Sequence, residues 1–189
     1  MKQVIPLRRR LIDLPLIIFF SINLLFITYI VDIEQIIIPD PNNFSYPIWP
    51  LPFMVDIIHS YGRNFDPLLM ARPTWWQVTI WIDALLFGPF YVVALYAFIK
   101  GKNWIRQVCF IYASVMVTNV TIILGEEIFG PYRTPQLWFV LLDNAPWFLM
   151  PLYLIARMWN NPQPFTQTLS SAETQVDFSD RRDGLTDVA

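Results

Sequence analysis

The chain has 189 residues, 55% of them hydrophobic, 16% aromatic and only 15% charged. Soluble domains carry about 25% charged residues, so this composition is that of a membrane protein built as one unit. A net charge of -2 excludes a basic nucleic-acid face, while a single cysteine (Cys109) and a single histidine (His59) leave no disulfide and no cysteine- or histidine-rich metal site.

In chain order, residues 1–13 form a basic N-terminal segment with Lys2, Arg8, Arg9 and Arg10. The first apolar run, about Leu14–Ile37, follows "LRRR" as a signal peptide would. Its core exceeds the 7–15 apolar residues of a signal sequence and no small-x-small cleavage site follows, so it reads as a retained anchor. Asp32 lies near its end. The long connection 38–74 contains "IPDPNNFSYPIWPLPF", whose proline density excludes a continuous helix. Trp49 and its aromatic neighbours suggest a segment lying at the membrane interface. Asn43-Phe44-Ser45 is a glycosylation sequon on this side. In "NFDPLLMARP", Asp66 precedes Pro67 and a short apolar run, so its carboxylate is expected to cap a helical turn that starts at the proline.

Three further spans follow, at about Trp75–Ile99, Trp104–Leu124 and Leu137–Met158, each near the ~20 residues that cross a bilayer. The second holds Asp83 and Gly88-Pro89, and the third Thr118 and Asn119. Glu126 and Glu127 follow the third as a solvated helix end. The fourth holds Asp143 and Asn144 just before Pro146, and Trp147 just after it. Trp75, Trp76, Trp104 and Trp159 sit at span ends, as an aromatic belt does. Residues 160–189 are polar and are expected to be a disordered tail. The fold class is therefore an all-α integral membrane bundle of four transmembrane helices over 14–159, with a long loop between the first two. Lys and Arg gather at the N-terminus, the "KGKN" turn and Arg157, which places both termini in the cytosol and the long loop in the lumen.

The polar residues of the spans share a depth. Asp32, Asp83, Thr118, Asn119, Asp143 and Asn144 all fall within roughly 6–12 Å of the loop-side membrane face at 1.5 Å rise per residue. Polar groups inside spans face the bundle interior or a wet cavity, so their convergence points to a pocket with a polar end. Asp32 and Asp83 lack a cation at their depth and cannot both ionise side by side, which predicts a shared proton. Such a pair suits a cationic amphiphile, or a sterol with its 3-hydroxyl at the polar end. Pro89, Pro146 and Pro151 free backbone carbonyls and bend the helices around such a space, and Trp147 stands one turn from Asp143 and Asn144 to line it.

"DPLL", "ARPTWW", the acid of the second span, "YAFIKG", "NWIR" and "NAPWFLMP" together resemble the EXPERA-domain membrane proteins, most closely the sigma-2 receptor branch. The resemblance runs to about residue 160. It implies a four-helix endoplasmic-reticulum protein, often a homodimer, that binds sterols and amphiphilic amines in a buried pocket without a cofactor. It also implies that Asp32 is the ionic partner of the ligand, with Asp83 supporting it at a position that is a glutamate in the family. Asn119, Asn144, Trp147 and Tyr61 correspond to pocket positions, and Asp66 with Pro67 to a structural motif. The branch implies a lysosomal cholesterol transporter as partner, with a scaffold role as one alternative. The other is the emopamil-binding sterol isomerase, whose chemistry uses a histidine within the spans, where this chain has none. Relatives can end in a lysine-rich retrieval signal, whereas this sequence ends "GLTDVA". Retention in the reticulum would then rest on another determinant such as Arg8–Arg10, with lysosomal, nuclear-envelope or plasma-membrane pools open.

Overall fold

Four helices carry the apolar runs: Leu11–Ile37, Thr74–Lys100, Ile105–Phe129 and Leu137–Trp159, here spans one to four. The computed structural model describes residues 2–168. Each span is long and apolar enough to cross a bilayer, and their outward faces present Leu25, Leu85, Ile111 and Leu142 to the lipid. Span three runs one turn past the expected Leu124, because Gly125 is accommodated within the helix and the chain turns away only at Gly130.

Spans three and four pack along each other, and span one lies against span two. The centre is aromatic. Phe20 meets Phe90 and Phe98 edge-on at 5.6 Å, and Phe90 stacks on Tyr112 at 4.0 Å between ring centres. Cys109 is fully enclosed among these residues. Hydrophobic burial drives little in lipid, where tails are as apolar as leucine; packing and interhelical hydrogen bonds hold such bundles.

Two stretches of helix widen. From Asn23 to Asp32 in span one, and from Asp83 to Phe87 in span two, the backbone winds with i→i+5 hydrogen bonds. Span two has an evident cause. Pro89 has no N–H, and the N–H of Gly88 just before it reaches back to Asp83 O instead. Such widened turns frequently mark functional positions. Gly88 is needed for a second reason: a Cβ there would meet Thr28 Cγ2 at 2.9 Å, so only glycine lets spans one and two approach at this level.

The long connection departs from expectation in its second half. After a non-helical stretch with four prolines, a 13-residue helix runs Pro52–Asn64, followed by Pro67–Ala71. Proline at the first position of a helix costs nothing, since that N–H has no partner anyway. Pro52 and Pro67 thus start helices rather than break one.

The start of the expected disordered tail is ordered as well. Thr166–Thr168 pairs antiparallel with Lys2–Val4, and Phe165 is fully buried against Phe98. Arg10 spreads over the Phe165 ring, donates to Phe98 O at 2.8 Å and pairs with the buried Asp13, which also takes Arg157 Nε at 2.7 Å. Two arginines sharing one enclosed carboxylate supply the fixed partner that a polar segment needs to fold. The remainder of the tail, 169–189, lies outside the described residues. Gly101 completes this end: it closes span two at φ 65°, and a Cβ there would strike Val4 Cγ1.

Candidate functional site

The four spans and the loop helix Pro52–Asn64 enclose a cavity of about 320 Å³, within the range of ~300–1,000 Å³ typical of ligand pockets. Its wall is mainly apolar, with Phe26, Ile57, Ile80, Met116, Val120 and Ile123 among the contributors. All six residues singled out from the sequence (Asp32, Tyr61, Asp83, Asn119, Asn144 and Trp147) line this one space.

Asp32 and Asp83 meet at the inner end, at the two places where the helices widen. Thr28, one turn before Asp32, donates to Asp83 Oδ1 at 2.9 Å. The two carboxyl groups touch each other, and Asp32 Oδ2 is buried without a donor among the described residues. Among the described residues no Lys, Arg or His pairs with either acid. A proton shared between the carboxyls supplies the sealed Asp32 oxygen with a donor, and the pair's remaining acceptor capacity is turned to the cavity for a ligand's ammonium or hydroxyl. Chemically this is an acceptor pole in an apolar room.

The other side chains fill supporting places. Trp147 donates from Nε1 to Asn23 Oδ1 at 2.7 Å, and Asn23, fully buried, anchors its own amide on Phe19 O at 2.8 Å. Trp147 is thereby held as a fixed wall. Asn144 donates to Val140 O one turn back at 2.9 Å, leaving its carbonyl oxygen for the cavity. Asn119 lines the cavity with its carboxamide unbonded by any described residue. Thr118 does not belong: it is exposed on the outer face and returns its hydroxyl to Ser114 O at 2.8 Å. Trp76 is no belt residue, being buried with Nε1 on Gln35 Oε1 at 2.5 Å, and it lines the cavity.

At the outer end, Tyr61 donates to Asp143 Oδ2 at 2.8 Å. Burial, together with that bond, raises the Tyr61 phenol above its ordinary range, so it remains a donor. Asp66 Oδ1 accepts from Leu69 N–H at 3.0 Å, and Pro67 is the first residue of the helix so capped. Burial pushes the Asp66 carboxyl up, while the Glu127 contact and the cap bonds pull it down. Glu127 corrects the expectation of a solvated helix end: it is 1% exposed, and its carboxyl lies against Asp66 with no other donor among the described residues. The extra turn of span three carries it under the loop.

A buried cation does stand two residues beyond Asp32, on Glu34 rather than on the acid pair. Arg72 is buried and forks onto Glu34, with Nη2 at 2.9 Å from both carboxylate oxygens, while His59 Nε2 lies 2.7 Å from Glu34 Oε1. Arg72 also bonds Ile38 O and Leu69 O. Glu34 sits two residues beyond Asp32, so this cluster pins the end of span one to the loop. The sequence signal was present, as an acid two residues past Asp32 and an arginine at the foot of span two. Only the folding back of the loop helix brings them together.

Residues 53–158 match the family described as EXPERA (EXPanded EBP superfamily). Sigma intracellular receptor 2 of Xenopus tropicalis is 30% identical over 148 residues, covering 72% of this chain and 82% of the relative. The protein of the same name from Macaca fascicularis is 27% identical over 172 residues, covering 84% and 93%. That from Homo sapiens is 28% identical over 129 residues, covering 61% and 73%.

Proposed function

Because the chain belongs to the EXPERA (EXPanded EBP superfamily) family, we propose that it is an intramembrane receptor for sterols and cationic amphiphiles, acting in intracellular cholesterol handling. One observation carries this reading: an apolar cavity that ends in two touching carboxyls, one of them with a buried oxygen lacking a donor. With one proton shared between them the two carboxyls keep acceptor capacity and negative charge at the end of an apolar space, which an amphiphile with one donor end complements while its body fills the apolar wall. An amine meets Asp32 with Asp83 behind it; a sterol presents its 3-hydroxyl to the same pair.

Relatives named as receptors support binding over catalysis. The position of His59 supports it further. Shifting a ring double bond needs an acid and a base placed across the sterol nucleus, whereas His59 is engaged with Glu34 and lies outside the cavity wall. The Lys/Arg bias and the family resemblance support an endoplasmic-reticulum location with both termini cytosolic. The resemblance alone supports a homodimer, and a lysosomal cholesterol transporter as partner.

Photolabelling tests the reading. A diazirine-bearing amphiphilic amine and a diazirine sterol are each expected to label cavity residues, Ile57, Met116 and Val120 foremost, and an excess of either unmodified ligand should suppress both patterns. Labelling confined to lipid-facing Leu25, Leu85 or Leu142, without competition, would remove the cavity as the site.

A further inference from the structure

We propose that the membrane face where the two terminal segments meet binds a lipid whose headgroup carries phosphomonoesters, seated on Lys2, Arg8, Arg9, Lys100 and Lys102. These five side chains are exposed and pair with no acid among the described residues. The other cations of this end are occupied. Arg10 and Arg157 share the buried Asp13, and Arg106 donates to Met158 O and Trp159 O. The exposed acids among the described residues, Asp40, Asp56 and Asp143, all stand toward the opposite, loop end. The bundle thus has a positive pole.

The five cations come from separate segments, and the terminal ribbon assembles them. Lys2 pairs with Thr168 and Val4 with Thr166, so these four residues share one face of the ribbon. That face rests on the turn between spans two and three. Val4 lies against Gly101, and Thr166 Oγ1 takes Asn103 Nδ2 at 3.0 Å. Lys2 is thereby brought to the turn in which Lys100 and Lys102 flank Gly101. Arg8 and Arg9 stand just before Arg10, whose guanidinium is locked on Phe98 O, two residues before Lys100. Phe165, buried between Arg10 and Phe98, keys this frame. A loose basic tail would disperse its charges, whereas a sealed core holds these on one face.

Level and charge together identify the partner. Leu11, Ile12, Trp104 and Trp159 are exposed around the same face, as apolar and aromatic side chains are where a span leaves the hydrocarbon. The cations therefore stand at headgroup level, where a juxtamembrane basic cluster attracts anionic lipid. Ammonium and guanidinium groups from separate segments can close on one multiply charged headgroup: arginine forks onto phosphate oxygens and lysine adds point charge. A headgroup with a single net charge leaves most of them unserved.

The test titrates the purified full chain, in phosphatidylcholine nanodiscs, with a fluorescent short-chain phosphatidylinositol bisphosphate, against empty discs. Saturable binding is expected. Lys100→Gln combined with Lys102→Gln should weaken it about 25-fold, at about fivefold per cation. Phe165→Ala keeps every cation but unseats the ribbon, and should weaken binding at least about fivefold, the share of Lys2. Helix content by circular dichroism should be unchanged in both variants; if Phe165→Ala fails to fold, the surface lysine pair decides. Undiminished affinity in either folded variant overturns the proposal, and so does equal competition by phosphatidylserine at matched total charge. The acids of 169–189 are the rival occupant. In that case the wild type binds no lipid, while a chain carrying Glu173→Gln, Asp177→Asn, Asp180→Asn, Asp183→Asn and Asp187→Asn does. That result, or no binding by either, also overturns the proposal and leaves the receptor reading of the cavity untouched.

Discussion

Asp32→Asn is expected to weaken binding of a cationic amphiphile at least about thirtyfold, some 2 kcal/mol or more. The amide is isosteric, so the cavity keeps its shape, but it replaces a buried acceptor by an N–H₂ donor aimed at the ligand's own donors. Asp83→Asn should cost less, about tenfold or under, because its carboxamide can still take the Thr28 hydroxyl on its oxygen and donate to Asp32 through its nitrogen. Binding of an uncharged sterol should change little in either variant, since its body is held by the apolar wall and its hydroxyl can bond an amide. Saturation binding of a radiolabelled amine and a radiolabelled sterol to the same preparations reads all four numbers, and the sterol doubles as the folding control. An unaltered amine affinity in Asp32→Asn would detach the acid pair from ligand recognition.

The second large effect is on stability. Arg72→Met should destabilise the fold by about 3–5 kcal/mol, the cost of leaving a buried charge without its partner. Arg72 is 4% exposed, and its bidentate bond to Glu34 is made where water cannot replace it. Methionine keeps the volume of the stem. It also keeps the strain of the left-handed backbone at φ 47°, so the change removes the guanidinium with its bonds to Glu34, Ile38 O and Leu69 O and leaves the backbone as it was. Adding Glu34→Gln should restore part of the loss, because His59 can then bond a neutral partner. Cys109, enclosed and the only cysteine, provides the readout: its reaction with a thiol-specific fluorophore on heating should move down by on the order of 10 °C in Arg72→Met. An unmoved transition would show that the cluster holds nothing together. Since Glu34 lies two residues past Asp32, the same variant should also loosen amine binding.

How much of this was legible in the sequence depends on the range of the interaction. The spans were, because length and hydropathy are local properties, and rise per residue is enough to align Asp32, Asp83, Asn119 and Asn144 at one depth. That alignment also anticipated a common cavity lined by them and by Trp147, whereas Tyr61 came only from the family resemblance. What escaped needed tertiary folding. Glu34, His59 and Arg72 lie on three different segments, and nothing in their spacing pairs them. Asn23 reads as one polar residue in an apolar run; only the bundle turns it into the anchor of Trp147. Glu127 changed from a solvated end to a sealed carboxyl because span three continued one turn further under the loop. Thr118 erred in the other direction: depth says nothing about azimuth, and neighbouring residues on a helix point about 100° apart.

The central claim is that the inner acid pair holds the donor end of an amphiphile while the apolar wall holds its body. A high-resolution structure of the full chain with an amphiphilic amine bound tests that most directly. The nitrogen should lie within about 2.7–3.2 Å of an Asp32 carboxylate oxygen, with Asp83 still bonded to Thr28 and the apolar body between Met116, Val120 and Trp147. An amine found on the lipid-facing surface, or within the cavity but bonded to no carboxyl oxygen of Asp32 or Asp83, would contradict it.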